Sequence, residues 1–240
     1  RQMCIRDRCN VLFVSLGYLA GRRRGRQEQV FCMLNFSGYN IGCFALPYVS
    51  SLLGPTAVVS ACLFDAGNAI WATGGTNAVC AALQEGGRLR LGPTLKRLAR
   101  SVTILAYLIM LLLAVLRVRL PGPVLEFAEL VGSANSFLAM LMLGLGMNLD
   151  IRREQLRWIG RAVCVRFGVS LVLSLCFFYL LPFDSEIRLG AALAAFSPVS
   201  SISPAYTRER GGDVGLASSW NTITILLSLL CMTLMLLFAS

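Results

Sequence analysis

The recurrence of long apolar stretches constrains the fold of this 240-residue chain more than any other feature of its sequence. A helix of about 20 apolar residues crosses the hydrocarbon core of a membrane, which is ~30 Å thick. Apolar residues make up 56% of the chain, and the charged residues fall mainly between the stretches. We predict an all-α polytopic membrane protein with about seven crossing helices. They are predicted over residues 30–51, 56–84, 101–117, 123–147, 159–182, 187–207 and 214–238.

The N-terminal residues depart from this pattern. Residues 1–9 are rich in charge and are predicted to form a non-native or disordered leader. The apolar run over residues 10–20 is too short to cross a membrane, and we interpret it as the end of a helix whose beginning is missing. The expectation is therefore seven spans plus a partial one.

The basic residues are concentrated in alternate loops. One set of loops holds 15 lysine and arginine residues, and the set that alternates with it holds three. The basic set lies at residues 21–29, 85–100, 148–161 and 208–213, and the other set at 52–55, 117–122 and 183–188. Because basic loops stay on the cytoplasmic side, we expect a multi-pass protein of the cell membrane with its C-terminus outside. This arrangement explains the net charge of +10 without a nucleic-acid partner.

The residue inventory disfavours an enzyme and a metalloprotein. The chain has no histidine, which excludes a Ser–His dyad. Its nine cysteines form no Cys-x-x-Cys pair and lie mostly in apolar runs, where cysteine behaves as a small apolar side chain. Hydrolysis by paired carboxylates needs two such groups, and Asp65 is the lone carboxylate deep in a predicted span. We expect no catalytic residue, no cofactor and no metal.

The first predicted span carries polar and helix-breaking residues near its middle. Asn40 lies ~15 Å from the start of the apolar run, close to the midplane of the membrane. Gly42 and Pro47 follow, and a proline removes a backbone donor and clashes with the preceding turn. Backbone groups freed by a break must face protein, water or a ligand, because lipid cannot satisfy them. The structural alternative is close helix packing at Gly38 and Gly42, with Pro47 as a kink.

The sixth predicted span contains a second break. Pro198 lies near its middle, Pro204 follows, and Ser200 and Ser201 lie between them. Hydroxyl groups can satisfy a broken backbone, so this segment also has a structural explanation. The alternating topology makes this span run opposite to the span that contains Pro47. Two broken helices at matching places in oppositely oriented halves predict an inverted-repeat transporter fold, with a site where the two breaks cross.

Five short motifs lie at or near these breaks. They are Asn40-x-Gly42-x4-Pro47, Leu53-Gly54-Pro55, Phe64-Asp65-x-Gly67-Asn68, Pro198-Val-Ser-Ser and Ser218-Ser219-Trp-Asn221-Thr222. Together they resemble the crossover regions and last helix of the auxin efflux carrier family of bacterial and plant membrane transporters. The resemblance covers about residues 10–240, and it departs from the family at Ala45, where a glycine is common.

The resemblance implies a fold of ten helices in two inverted repeats of five, of which this chain would contain helices three to ten. It implies a core formed by residues 10–84 and 159–240, which slides against a scaffold at 101–147 in an elevator-type mechanism. Substrates across the family are mostly small organic anions, such as dicarboxylates, and auxin in plants. A homodimer joined through the scaffold helices is a further expectation.

We assign the candidate substrate contacts to the two breaks and the last helix. Asn40 is the leading candidate, because an amide donates hydrogen bonds to a carboxylate without carrying a charge itself. The full set is Asn40, Gly42, Pro47, Pro198, Ser200, Ser201 and Asn221. For Asn221 and Thr222, hydrogen bonding between helices is an equal alternative.

Asp65 and Asn68 form the candidate site for a coupling ion, which would be H⁺ or Na⁺. Asp65 lies ~14 Å deep, where a carboxylate needs a partner, and Asn68 shares its helix face. The alternative is a structural carboxylate held by neighbouring amides. Asn35 is expected to be a helix-packing amide, and Arg166 to snorkel toward the cytoplasmic face rather than pair with an anion.

These patterns predict a secondary active transporter that moves a small organic anion across a lipid bilayer by alternating access. The alternative is a channel or a ligand sensor with a transporter-like fold.

Overall fold

The computed structural model describes residues 2–86, 91–147 and 153–239, and this part of the chain is helical, without a strand. Its helices are α1 (Gln2–Gly21), α2 (Arg26–Phe36), α3 (Leu46–Leu52), α4 (Pro55–Ile70), α5 (Thr76–Gln84), α6 (Leu91–Ala99), α7 (Val102–Val115), α8 (Gly122–Leu145), α9 (Arg153–Leu180), α10 (Ser185–Ala195), α11 (Ser203–Glu209) and α12 (Val214–Ala239). Two π-helical turns join this series: Ile41–Ala45 leads into α3, and Trp71–Gly75 joins α4 to α5. The predicted all-α class is therefore confirmed for the described residues.

Four segments of the described chain are long and apolar enough to cross a membrane. They are Arg26–Leu52, Gly122–Leu145, Trp158–Leu180 and Val214–Ala239. A fifth is obtained if α6 and α7, which are bent by 67° at the break between them, are taken as one span. These segments fit a transmembrane protein, and the four coincide with four of the seven predicted spans.

The other three predicted spans form shorter helices. Residues 56–84 are helical throughout, but a π turn divides them into α4 and α5. Residues 101–117 give α7, which has 14 residues. Residues 187–207 give α10, with 11 residues, and α11, with seven, because the segment around Pro198 leaves the helical conformation.

The N-terminal region is helical from Gln2. A non-native or disordered leader is expected over residues 1–9, and α1 runs from Gln2 to Gly21 without interruption. The sequence Gln-Met-Cys-Ile-Arg at the start of α1 contains several good helix formers, which is compatible with an extension of the helix. The α1 helix packs against α2 and α4, so it contributes to the core of the molecule.

Side-chain contacts join the described parts of the four basic loops, and we call the end of the molecule where they meet the basic end. Three contacts join them. Gln27 Nε2 donates to the Arg210 carbonyl (2.9 Å), and Arg97 forms an ion pair with Glu209 (2.9 Å). The Arg24 guanidinium carbon lies 5.2 Å from the ring centroid of Trp158. At the opposite end, the Glu186 carboxylate lies 3.4 Å from the position that a Cβ atom on Gly54 would occupy. Consequently α2 begins at the basic end, and α10 begins at the opposite end.

Both of these helices stop inside the molecule. The α2 helix ends at Phe36, and residues 37–40, which we call the first break, have no regular structure. The α10 helix ends at Ala195, and residues 196–202 form the second break before α11 begins. Each broken segment therefore enters from one end, leaves the helical conformation, and continues as a short helix toward the other end.

The first break lies within the predicted segment that contains Asn40, Gly42 and Pro47, and it begins before Pro47. The chain leaves the helix seven to ten residues earlier, at residues 37–40, where Gly38 has a φ of +74° that few other residues adopt. A π turn follows, in which Ala45 N–H donates to the Asn40 carbonyl (3.3 Å). Pro47 lies in the first turn of α3, where its missing N–H is tolerated.

The breaks lie in the most buried part of the described chain. Aromatic rings connect α1, the first break, α4 and α9 through edge-to-face contacts: Phe13 with Tyr39 at 5.7 Å, Tyr39 with Phe64 at 5.4 Å, and Phe64 with Phe177 at 6.1 Å. In contrast, α7 contains no buried residue, and most of the described α8 side chains are exposed. The buried core therefore surrounds the breaks, and α7 and α8 lie at its edge.

Candidate functional site

The two breaks contact each other through their backbones. Asn40 N–H donates a hydrogen bond of 2.9 Å to the carbonyl of Pro198. The Ser200 Cβ atom lies 3.2 Å from the position that a Cβ on Gly38 would occupy, so the close approach requires glycine there. Three of the predicted site residues, Asn40, Pro198 and Ser200, are thus brought together by segments about 160 residues apart in the chain.

Asn68 satisfies the backbone that the first break leaves unpaired. Its Oδ1 accepts from Tyr39 N–H (3.0 Å), and its Nδ2 donates to the Tyr39 carbonyl (2.7 Å). The same Nδ2 lies 3.3 Å from Asp65 Oδ1. The amide therefore replaces the helical partners of residue 39, which gives Asn68 a structural function beside the predicted role in ion coupling.

Asp65 is a buried carboxylate that accepts hydrogen bonds from Asn68 on its own helix and from α7. It is 7% exposed, and its Oδ2 accepts a hydrogen bond of 2.8 Å from the Tyr107 hydroxyl on α7. A Cβ atom on Gly42 would lie 3.7 Å from the same oxygen, so the π turn passes close to the carboxylate. The sequence prediction did not include Tyr107, which is a lone tyrosine in a strongly apolar helix.

Arg166 lies behind both breaks, and the prediction that it snorkels toward the cytoplasm is wrong. Its side chain on α9 is 1% exposed, and its guanidinium donates to the carbonyls of Phe36, Gly38 (3.3 Å) and Ser197 (3.4 Å). The planar guanidinium has five donors, so it can serve carbonyls from both breaks at once. Satisfying carbonyls that the breaks have freed is favourable enough to hold the cation inside the protein.

Two aromatic rings complete the environment of Arg166. Its guanidinium carbon lies 4.8 Å from the ring centroid of Phe13 and 5.6 Å from that of Tyr39. These distances are those of cation–π contacts, which stabilise a cation that water cannot reach. The sequence signal that could have indicated this role is the depth of Arg166 in the membrane, because it is the basic residue farthest inside its predicted span.

Hydroxyl and amide groups connect the flanking half-helices. Ser203 Oγ on α11 donates to Asn35 Oδ1 (2.6 Å) on α2, and Asn35 Nδ2 donates to Thr207 Oγ1 (3.2 Å). In the second break, Val199 N–H donates to Thr224 Oγ1 (3.3 Å) on α12. Asn35 therefore acts as the packing amide that the sequence predicted.

The remaining predicted contacts lie away from the junction of the two breaks. Ser201 is exposed, and Pro47 is buried in α3 beyond the π turn. Within the described part of the chain, Asn221 makes no side-chain hydrogen bond to either break, and its buried Oδ1 has no partner. Thr222 donates to the Ser218 carbonyl of its own helix (3.0 Å).

Asn40 keeps an unused donor at the junction. Its side chain is 5% exposed, and its buried Nδ2 has no hydrogen-bond partner among the described residues. An unpaired buried donor is costly, so it marks a place where water or a ligand can bind. A pocket between the two breaks, which Gly38, Ser200 and Tyr206 help to line and Asn40 does not, has a volume of only ≈10 Å³, room for about one water molecule. The junction is therefore closed in this conformation.

A wider cavity of ≈140 Å³ opens toward the basic end. Arg97 on α6 makes two hydrogen bonds, of 3.2 and 2.9 Å, to the Glu209 carboxylate at the end of α11. Asn77 Nδ2 also donates to Glu209 (3.3 Å), and Arg97 lies 5.2 Å from the ring centroid of Tyr206. The hydrogen bonds from Arg97 hold the pKa of the Glu209 carboxyl below its ordinary value. Tyr206 therefore contacts Arg97, which lines the cavity, and itself lines the small pocket between the breaks.

Comparison with family models, with curated proteins and with solved structures finds no match for this chain. The class of the molecule is therefore defined from its own structure. Over the described residues it is an all-helical protein with four helices able to span a membrane. Within that class, its particular feature is the pair of interrupted helices that meet at Asn40 and Pro198.

Proposed function

We propose that this protein is a secondary active transporter that moves a small organic anion, of the dicarboxylate or auxin type, across the cell membrane. The observation that carries the proposal is the backbone hydrogen bond between Asn40 and Pro198, where two helices from opposite ends of the molecule are interrupted. Discontinuous helices that meet near the midplane are a recurring architecture of transporter binding sites. The resemblance of the surrounding motifs to the auxin efflux carrier family supports the same proposal.

The proposed fold is an inverted repeat. One unit consists of α1, the α2–α3 pair and the α4–α5 segment, and the other consists of α9, the α10–α11 pair and α12. The middle member of each unit is interrupted, and the two middle members run in opposite directions. With α7 and α8 this gives the seven spans plus one that the sequence predicts, and the basic end is assigned to the cytoplasm.

The proposed movement is of the elevator type, in which the core carries the substrate past the scaffold. The difference in packing supports this division, because α7 has no buried residue while the core around the breaks is tightly packed. The exposed apolar faces of α7 and α8 are suited to lipid or to a second copy of the chain. Tyr107 links the scaffold helix α7 to Asp65, the proposed site of the coupling ion, H⁺ or Na⁺.

The proposed substrate contact is the free donor of Asn40. A carboxylate or a similar oxyanion accepts hydrogen bonds from an amide N–H, and the buried position of Asn40 strengthens such a bond. Ser200, across the junction, supplies a further hydroxyl. Opening of the junction is part of the proposal, because the closed pocket holds about one water molecule.

The test is uptake of labelled dicarboxylates and of an auxin into vesicles that contain the purified protein, measured at several pH values. We expect Asn40→Ala to lower uptake at least tenfold while the melting temperature changes little. Ser51→Ala is the matched control, because Ser51 is exposed on α3 and bonds only to the Tyr48 carbonyl of its own helix. Normal uptake by the Asn40 variant would contradict the assignment.

The same vesicles distinguish the alternative functions. A channel would give single-channel currents, and a ligand sensor would bind the anion without flux. The closed junction of this conformation favours a carrier over a permanently open pore.

A further inference from the structure

Arg166 contacts both interrupted helices at or just beyond their C-terminal ends. Its guanidinium binds the carbonyl of Phe36, the last residue of α2, and that of Ser197, two residues beyond the end of α10. It also binds the Gly38 carbonyl, two residues before Asn40. The guanidinium of Arg166 thus binds carbonyls at the C-terminal ends of two helices that approach from opposite ends of the molecule.

The positive charge of the Arg166 guanidinium nearly balances the partial negative charges of the two helix ends. The unpaired carbonyls at the C-terminus of a helix carry about −0.5 of an elementary charge, so two such ends carry about −1. The guanidinium supplies +1, and its partners among the described residues are carbonyls and the faces of Phe13 and Tyr39. Without the cation, two negative helix ends would remain beside the proposed anion site.

We propose that Arg166 is a positioning residue that holds the two breaks together and neutralises the negative ends of α2 and α10, so that the junction can accept an anion. The inference rests on the proposed function for its anion-binding part. Arg166 acts through the backbone of the breaks, because both terminal nitrogens of its guanidinium, Nη1 and Nη2, donate to carbonyls. Residue 166 therefore needs both a positive charge and a planar group that donates hydrogen bonds on two sides. Lysine supplies the charge but not the planar donor group.

A graded dependence on substrate charge is the expected signature. Arg166→Gln keeps N–H donors but removes the charge, so KM should rise about tenfold for a monoanion and roughly a hundredfold for a dianion, with kcat changed less. Arg166→Lys keeps the charge and should retain most of the anion affinity with slower turnover. An equal rise in KM for both substrates, or none, would overturn the electrostatic part of the proposal.

Chemical rescue provides a second measurement that does not require the glutamine variant to fold well. For Arg166→Ala, millimolar guanidinium should restore anion binding, and the same concentration of tetramethylammonium, which has the charge without the donors, should not. Equal rescue by both ions, or by neither, would overturn the requirement for a planar cation donor.

Hydrogen–deuterium exchange separates failure of this inference from failure of the proposed function, because it needs no substrate. In Arg166→Gln, peptides covering residues 37–46 and 196–203 should exchange faster together, while a peptide from α8 stays unchanged. If wild-type protein transports no anion and both breaks still loosen together, the proposed function fails and the holding role of Arg166 stands. Unchanged exchange at both breaks would overturn the holding role.

Discussion

Asn68 and Asn10 are both buried amides, but they differ in hydrogen bonding. Asn68 binds the N–H and C=O of Tyr39 and also contacts Asp65. Asn10 is 0% exposed, and neither its Oδ1 nor its Nδ2 has a partner in the described part of the chain. The energetic value of an amide depends on the groups that its removal leaves unpaired.

We therefore predict opposite outcomes for the same substitution at these two positions. Asn68→Leu leaves both backbone groups of Tyr39 without partners and should lower the free energy of unfolding by about 2–4 kcal/mol. Asn10→Leu removes an unpaired polar group and should be neutral or stabilising. Heat and SDS unfolding of both variants in detergent, followed by circular dichroism, would measure the difference, and equal effects would contradict it.

Individual residues could be predicted from the sequence where their position in a span decided their role. Asn40 and Pro198 each lie near the middle of a span, and their contact confirms that the two breaks meet. The roles of Asn68 and Arg166 could not be predicted in the same way, because their partners are 29 and 130 residues away in the sequence. Such partners depend on how the helices pack.

At the scale of elements, the end of α11 is held by a charged contact with α6. Arg97 and Glu209 form a two-point hydrogen-bonded ion pair, in which the side chains are 38% and 41% exposed. Exposed pairs of this kind contribute less than ~1 kcal/mol, because water screens them. The pair nevertheless connects the bent α6–α7 segment to the second interrupted helix.

The pKa of Glu209 is lowered in the folded protein, chiefly by its hydrogen bonds with Arg97, so its stabilising effect has a defined pH dependence. A lowered carboxyl pKa contributes stability at pH values above the ordinary value of about 4.3, and this contribution is lost as the pH falls through the lowered pKa. We expect wild type to melt slightly higher than Glu209→Gln at pH 7, and the difference to shrink as the pH falls below the ordinary carboxyl value of about 4.3.

The charge-swapped double variant, Arg97→Glu with Glu209→Arg, is the control for this prediction. It should recover part of the stability that either single variant loses. A difference between wild type and Glu209→Gln that persists unchanged at pH 3 would show that the carboxylate charge is not responsible.

The elements themselves were predictable to different degrees. Long apolar runs predicted α8, α9 and α12, because length and composition decide whether such helices form. The first break was predicted in a segment that contains Asn40, Gly42 and Pro47, and the structure has it at residues 37–40, ahead of the proline. A proline can be accommodated at the start of a helix after a π turn, whereas the left-handed conformation of Gly38 cannot continue a helix.

At the scale of the whole molecule, the distribution of charge gives a test of orientation. The described parts of the basic loops lie together at one end, as the contacts of Gln27, Arg97 and Arg24 show. If that end faces the cytoplasm, the C-terminus of α12 lies outside. We expect an epitope tag fused after Ser240 to be labelled by antibody in intact cells, as strongly as in permeabilised ones. Labelling only after permeabilisation would contradict the orientation.

The clustering of the basic loops could be predicted from their alternation with apolar runs, because charged loops cannot remain in lipid. The number of crossing helices was harder to predict. The segments 56–84 and 187–207 are apolar in sequence, but π turns and breaks divide them, and their crossing depends on the neighbouring helices that enclose them.

The nearly filled space between the breaks also affects any measurement of ligand affinity. A conformation that holds about one water molecule there cannot hold an organic anion, so only the open fraction of the population is competent to bind. The apparent dissociation constant is then the intrinsic constant divided by that fraction. An antibody fragment that recognises the shut form should weaken ligand affinity without touching the ligand, and a variant that favours opening should increase it with no new contact.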